Sequence, residues 1–540
     1  MIDTVNLLCL FLLAALVIGA LLGKTRSSIA PLSRRARLLL WALILLLSCL
    51  RLYGFGSIPG GMNQDGAMAA VDALALADHG TDRFGTWLPA HFTAWGYGQM
   101  SVLLSYCMVP FIKLFGLSVW TARLPLLLWS LGGMAAAYAF LRLWRGERAA
   151  LVGLLFLAVD PWHFMQSRWA LDCNLFPHLF LIGLALLADS RRHGWALCLS
   201  MLPFALCMYS YGVSFVMVPL FLLLAVITLR VPLRRVLLCV LLYLGLSWPI
   251  YGTMLINALG WETLSLPFVT LPFFPGSVRS GDILFFSGHM GTQLLQNFKA
   301  LWHVGFLQRP DLIWNAIDGF GTVYLCSAPL LLYGLGLTLR DAIRDKSAEG
   351  RLLLLYWLCS LVLGLCINNV NVNRLNILFY AHILLIVRGM DGLLAFRRET
   401  AVALLGCYGL CAALFFGQYF TSWAERMESV FFADFLDAVT YAGEQDSERY
   451  FITPDSQFTG SANVSEILTM FAHRIDALYF QGKSGEAPPY SLRYQYRNPD
   501  FAQLEGQPGS VSCVVRAGTP APEDWARAEF GSYWVYMKEG

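Results

Sequence analysis

Gln99-Met-Ser-Val-Leu-Leu-Ser-Tyr-Cys-Met-Val-Pro-Phe-Ile-Lys-Leu-Phe-Gly116 is an apolar stretch long enough to cross a bilayer, and whether it crosses sets the orientation of everything after it. It also holds Pro110 and Lys113. Twelve other apolar segments have a spanning length: 5–23, 38–54, 124–144, 149–166, 174–189, 195–211, 213–229, 236–256, 321–339, 352–368, 375–395 and 399–420. If the stretch does not span, the loops near Arg142, Arg191, Arg230, Arg340 and Arg388 share one side of the membrane. That side then has 15 basic residues and the other side five. Cytoplasmic loops carry the excess of Lys and Arg, so the basic side, joined by Lys24 to Arg37, is inside. Gln99 to Gly116 therefore reads as interfacial or re-entrant.

The composition agrees, with 57% hydrophobic and 14% charged residues across 540. A soluble multidomain enzyme is excluded. The first segment carries its basic residues after it, the reverse of a cleavable signal peptide, and reads as an anchor with its N-terminus outside. Residues 1–37 form that anchor and a basic inner loop, and 38–420 the membrane domain. The loops 55–123 and 257–320 and the tail 421–540 then lie outside.

The tail has 17 acidic and 9 basic residues. Its pattern predicts a small α/β unit with helices at 431–442 and 464–478 and strands at 450–453, 510–515 and 533–536. A nucleic-acid partner is not expected. Most of the 13 cysteines sit in apolar stretches, and neither they nor His163, His178, His289 and His303 show metal-ligand spacing. No metal site is read, and the cofactors stay unknown, a divalent metal being open.

Charges at membrane depth need a reason. Asp65, in Gly61-Met-Asn-Gln-Asp-Gly-Ala-Met, opens a helix in the first outer loop, where it is as readily an N-terminal cap as a catalytic base. Asp160 in Asp160-Pro-Trp-His163 falls about 16 Å into its span, and capping a helix broken by Pro161 is favoured over chemistry. Gln166-Ser-Arg-Trp-Ala-Leu-Asp-Cys-Asn174 puts Arg168 and Asp172 at the mouth of the bundle on the Asp65 side. Asn368-Asn-Val-Asn-Val-Asn-Arg374 adds Asn373 and Arg374, an arrangement that favours an anion over a structural ion pair. Tyr211 closes another outer turn, as a membrane-belt aromatic or a site residue.

The early aspartate, the second apolar helix of that loop, Phe115-Gly-Leu-Ser-Val-Trp-Thr-Ala-Arg-Leu-Pro125 and Ser167-Arg-Trp-Ala-Leu-Asp172 together resemble glycosyltransferase family 39. That family includes the protein O-mannosyltransferases and the aminoarabinose transferase of lipid A. The resemblance spans roughly 38–420 and implies an all-α GT-C-like membrane fold of about twelve spans, with two juxtamembrane helices and the outer α/β tail. It implies Asp65 as catalytic base, Asp172 in the same cavity and Asn373-Arg374 near a lipid phosphate. Departures are Asp65-Gly66, where the family often has Asp-Glu, and Trp95-Gly-Tyr-Gly-Gln-Met100 in place of charged residues.

Such an enzyme takes a sugar from a polyprenyl-phosphate donor to a hydroxyl of a protein, lipid or polysaccharide acceptor, with inversion at the outer face of the cell membrane. Arg374 and Arg168 are expected to stabilise the departing phosphate, and Asp172 and Tyr211 to orient sugar or acceptor. The alternative is a transporter or flippase for a lipid-linked or sugar substrate, in which Asp160 would be a coupling site.

Overall fold

The computed structural model describes residues 2–23, 32–95, 98–275, 290–309, 311–367, 369–397, 399–454 and 462–540. The basic stretch 24–31, Gly96 and Tyr97, Arg279 of the second loop, Asn368 and Arg398 lie outside the described residues.

Two apolar helices open the chain, α1 (Ile2–Leu22) and α2 (Arg34–Cys49). The first loop then forms α3 (Gln64–His79), a ribbon of β1 (Phe92–Ala94) and β2 (Gly98–Met100), and α4 (Leu103–Phe115). Seven helices follow: α5 (Val119–Arg145), α6 (Glu147–Val159), α7 (Pro161–Gln166), α8 (Leu175–Asp189), α9 (Trp195–Met208), α10 (Ser214–Leu229) and α11 (Leu233–Leu259). The second loop carries the ribbon β3 (Leu264–Leu266) and β4 (Val269–Leu271), then α12 (Met290–Leu301). The bundle closes with α13 (Ala328–Ile343), α14 (Ala348–Cys366), α15 (Val372–Phe396) and α16 (Thr400–Gln418).

Each of the twelve expected segments coincides with a helix, or at 149–166 with the broken pair α6 and α7. Seven described helical segments are long and apolar enough to cross a membrane by themselves. The contested stretch is α4, whose 13 residues extend about 20 Å, short of a hydrocarbon core of about 30 Å. It packs along α3 and α5. The first loop thus holds the two helices expected of it, α3 and α4.

The core gathers on α15, buried almost continuously from Val372 to Leu393. The α13 helix lies against it through Gly334 and Gly389, where an added Cβ would collide with the backbone of Leu385 or Leu330. At the far end of these helices from Asp65, Arg145 and Arg148 pair with Asp391, and Arg388 pairs with Asp341 at 2.8 Å.

The break between α6 and α7 shows why Pro161 is tolerated at depth. Asp160 caps α7, its Oδ1 accepting the His163 N–H at 3.0 Å. The carbonyls freed above it accept from Arg51 (Leu157 and Ala158) and from the Tyr324 hydroxyl (Val159, 2.6 Å). Every partner is supplied by protein, as irregular backbone at membrane depth requires.

The tail comprises α17 (Ala424–Val430), α18 (Ala433–Glu444), β5 (Arg449–Ile452), α19 (Ala462–Ala472), β6 (Tyr494–Gln495), β7 (Val511–Arg516), β8 (Ala526–Phe530) and β9 (Tyr533–Lys538). The sheet order is β6-β5-β7-β9-β8, with β5 parallel to β6 and β7, and β9 antiparallel to both its neighbours. The helix expected over 464–478 ends at Ala472, because Arg474 adopts a positive φ of 52°. Alternation along β5 sends Tyr450 and Ile452 into the core shared with the bundle and Phe451 into a second cluster with Val511, Cys513 and Trp525.

Candidate functional site

The turn that delivers Asp65 has little regular structure, so its backbone carbonyls need partners from elsewhere. Two buried arginines supply them. Arg168 donates from Nε to the Tyr419 hydroxyl at 3.0 Å, and from its two terminal nitrogens to the carbonyls of Leu50, Arg51, Tyr53, Gly54 and Ile58 at 2.5–3.3 Å. Arg123 donates to the carbonyls of Gly56, Pro59 and Gly61 at 3.2, 2.9 and 2.7 Å. Both are 0% exposed. Arg168 itself does not line the cleft that holds Asp65. It is a positioning residue of the loop before Asp65, and Arg123, in the quoted Thr121-Ala-Arg run, is its unrecognised partner.

The loop ends against the tail. Gly61 has φ +73° and abuts the Phe431 carbonyl so closely that no Cβ fits, while the Met62 N–H donates to that carbonyl at 2.7 Å. Asn63 holds the N-cap position of α3, so Asp65 lies in the first turn as the helix's second residue and is not its cap. A carboxylate there still meets the positive end of the helix. At Gly66 a Cβ would lie 2.7 Å from the Ala170 carbonyl and 2.7 Å from Asn63 Oδ1. The departure from an Asp-Glu pair thus has a steric cause in this chain.

Asp65 opens into a cleft of about 120 Å³ with Asn63, Gln64 and Asn373, walled by Trp169, Trp314 and Phe431. Asn373 comes from the first turn of α15 and accepts from Asn315 Nδ2. The same turn carries Arg374, whose N–H is capped by Asn371 Oδ1 at 3.0 Å, while Val372 N donates to Asp311. Asp172 is half-buried and follows Leu171 of the cleft wall in the chain. Tyr211 packs on the Trp169, Leu171 and Phe431 cluster that walls the cleft.

Asp160 is elsewhere, 0% exposed beneath the bundle surface and engaged as the α7 cap. It does not line the Asp65 cleft, and only its Oδ1 is used by the cap. Among the described residues no group of three His, Cys, Asp or Glu is assembled as metal ligands would be, and no step below runs through a metal.

An apolar groove of about 410 Å³ lies between α4, α9 and α11, lined by residues such as Leu103, Leu206 and Trp248. Tyr209 lines the groove, and Tyr211, two residues on in the same turn, packs on the cleft cluster. The turn is tied to α4 by the Leu103 N–H donating to the Tyr209 carbonyl at 3.1 Å.

The opposite end of α3 meets the tail. His79 Nε2 lies 2.6 Å from Asp476 Oδ2, and Asp476 Oδ1 accepts from the N–H groups of Leu478 and Tyr479. Partial burial raises the Asp476 carboxyl, but His79 and those N–H groups outweigh it and hold it below the usual carboxylate range.

Sequence reading missed Trp314 and the Val430–Phe432 wall, because apolar residues near span ends carry no distinguishing mark. Residues 99–250 match the family model described as dolichyl-phosphate-mannose-protein mannosyltransferase. No curated protein matches the chain. Among solved structures it is similar to ArnT from Cupriavidus metallidurans bound to undecaprenyl phosphate, with a TM-score of 0.56 at 15% identity over 94% of this chain and 98% of that one. AglB, the archaeal oligosaccharyltransferase from Archaeoglobus fulgidus in complex with an inhibitory peptide and a dolichol-phosphate, aligns with a TM-score of 0.47 at 13% identity over 82% of this chain and 65% of its own. The family match over 99–250 agrees with the resemblance stated from the sequence, and the fold shared with ArnT is the expected GT-C-like helical fold.

Proposed function

We propose that this chain is a glycosyltransferase that moves a sugar from a polyprenyl-phosphate donor to an acceptor hydroxyl at the outer face of the membrane, with Asp65 as general base, a reading supported by the family match and the ArnT-like fold. The observation that carries this reading is the shared cleft of Asp65 and Asn373, and an apolar groove lies on the other side of the Tyr209–Tyr211 turn. The lipid tail lies in the groove, and the phosphate and sugar turn into the cleft. The outside placement of the cleft and tail rests on the charge bias of the loops.

In the transfer, Asp65 removes the proton from the acceptor hydroxyl as its oxygen attacks the anomeric carbon. The bond from that carbon to the phosphate oxygen breaks, its electron pair leaving with the polyprenyl phosphate, and the displacement inverts the anomeric centre. Arg374 offsets the charge that grows on the phosphate, with Asn373 beside it. Asp172 and Tyr211 hold sugar or acceptor in line. No second carboxylate is needed, because phosphate departs without a proton, unlike the sugar alkoxide of a glycosidase. The cap on α7 gives Asp160 a structural role that needs no transport.

The test uses purified protein in lipid with a panel of polyprenyl-phosphate sugars and crude acceptor extract, following free polyprenyl phosphate by mass spectrometry. Asp65→Asn should slow release by about 10²- to 10⁴-fold with donor binding retained. Equal release by both proteins would remove Asp65 from the chemistry.

A further inference from the structure

The sheet of the tail has two unlike faces. One joins the bundle through α18 and α19, the latter packed on α3. The other turns away, and beside β5 and β6 it opens into a cavity of about 240 Å³ lined by Arg449, Phe451, Gln495, Arg497 and residues of the 498–507 segment.

Hydrogen-bond donors outnumber acceptors in this cavity. Gln495 Oε1 is taken by Arg497, at 3.0 Å from Nε and 2.7 Å from a terminal nitrogen. Gln507 Oε1 is taken by Arg449, whose other terminal nitrogen donates to the Pro508 carbonyl at 2.9 Å. The Arg497 guanidinium lies over the Phe451 ring at 5.5 Å. These contacts fix both guanidinium planes while leaving some of their N–H groups open. The side-chain amides of Asn498, Gln503 and Gln507 add donors around them. Asp500 is the single carboxylate, and its Oδ1 already accepts the Gln503 N–H at 3.2 Å. Two arginines against one aspartate also run counter to the tail as a whole, with its 17 acidic and 9 basic residues.

A fixed guanidinium fork matches a carboxylate, and carboxamides set around it match ring hydroxyls. We infer that this cavity binds a carboxylate-bearing sugar residue, a uronate within a glycan, at a site separate from the Asp65 cleft. It holds a remote part of a glycan while the transfer cleft acts elsewhere. The site stands independently of whether Asp65 is the base.

The test is calorimetric titration of the full-length protein in lipid nanodiscs with trigalacturonate, its fully methyl-esterified form and citrate. Wild type and Asp65→Asn should bind trigalacturonate saturably and alike. The exposed-site double variant Arg497→Gln, Gln503→Ala should bind it about tenfold more weakly, and so should wild type bind the ester. Unchanged affinity in the double variant overturns the site. Loss of binding in Asp65→Asn alone assigns the ligand to the transfer cleft. Equal binding of ester or of citrate overturns the uronate, and absence of saturable trigalacturonate binding overturns the whole proposal.

Discussion

Arginine is buried at both ends of the helical bundle but is satisfied in opposite ways. At the far end, Arg388 meets Asp341, and Arg145 and Arg148 meet Asp391, so helices already complete in backbone hydrogen bonds are joined by ion pairs. At the Asp65 end, Arg168 and Arg123 meet carbonyls of one irregular loop, with the Tyr419 hydroxyl as a side-chain acceptor. Carbonyls do not cancel a charge. The first arrangement fastens element to element, whereas the second replaces missing secondary structure and leaves its positive charge uncancelled beside the cleft.

The strongest way to break this contrast is Arg168→Lys, which keeps the charge and loses the fork. With several carbonyls left unmet in a buried place, unfolding free energy in detergent should drop by about 3 kcal/mol or more and sugar transfer should disappear. A lysine variant as stable and active as wild type would show that charge alone shapes the loop. At the far end, Asp391→Asn should cost about 2 kcal/mol, since Arg145 and Arg148 are partly exposed. The transfer rate per folded molecule should stay the same, and a rate loss there would couple the two ends.

Gly66→Ala sharpens the contrast from the loop's side. Its Cβ would press on the Ala170 carbonyl, at a cost of about 1–2 kcal/mol, and transfer should fall further than the stability loss explains. The smallest effect is electrostatic. Asp476 is held below the ordinary carboxylate range when folded, so its contribution is present above its unfolded value and is lost as pH falls through the folded one. The pair is part-exposed, so the loss should be under about 1 kcal/mol, read as faster hydrogen exchange around 476–480 on acidification. In His79→Gln that pH dependence should largely vanish.

The helical order was legible because apolar length and loop charge are properties of contiguous sequence. Asp65, Asn373 and Arg374 were legible as polar groups at span mouths, and Asp160-Pro161 as a capped break. Arg168 was not. An arginine in an outer loop reads the same whether its fork meets phosphate or backbone, and its carbonyl acceptors lie 110–118 residues earlier in the chain. Phe431, which walls the cleft, has no signal of its own because its role comes from lying against Gly61.

That contact also sets a schedule. The Gly61 turn closes on a carbonyl made only after the last helix of the bundle has been synthesised. At about 5–20 residues per second, tens of seconds of translation separate Asp65 from the residue that completes its surroundings. A nascent chain released before α17 would insert every apolar helix and still have no finished cleft. Assembly of the site is thus withheld until the protein is nearly whole, so incomplete copies in the membrane would have no working transfer centre.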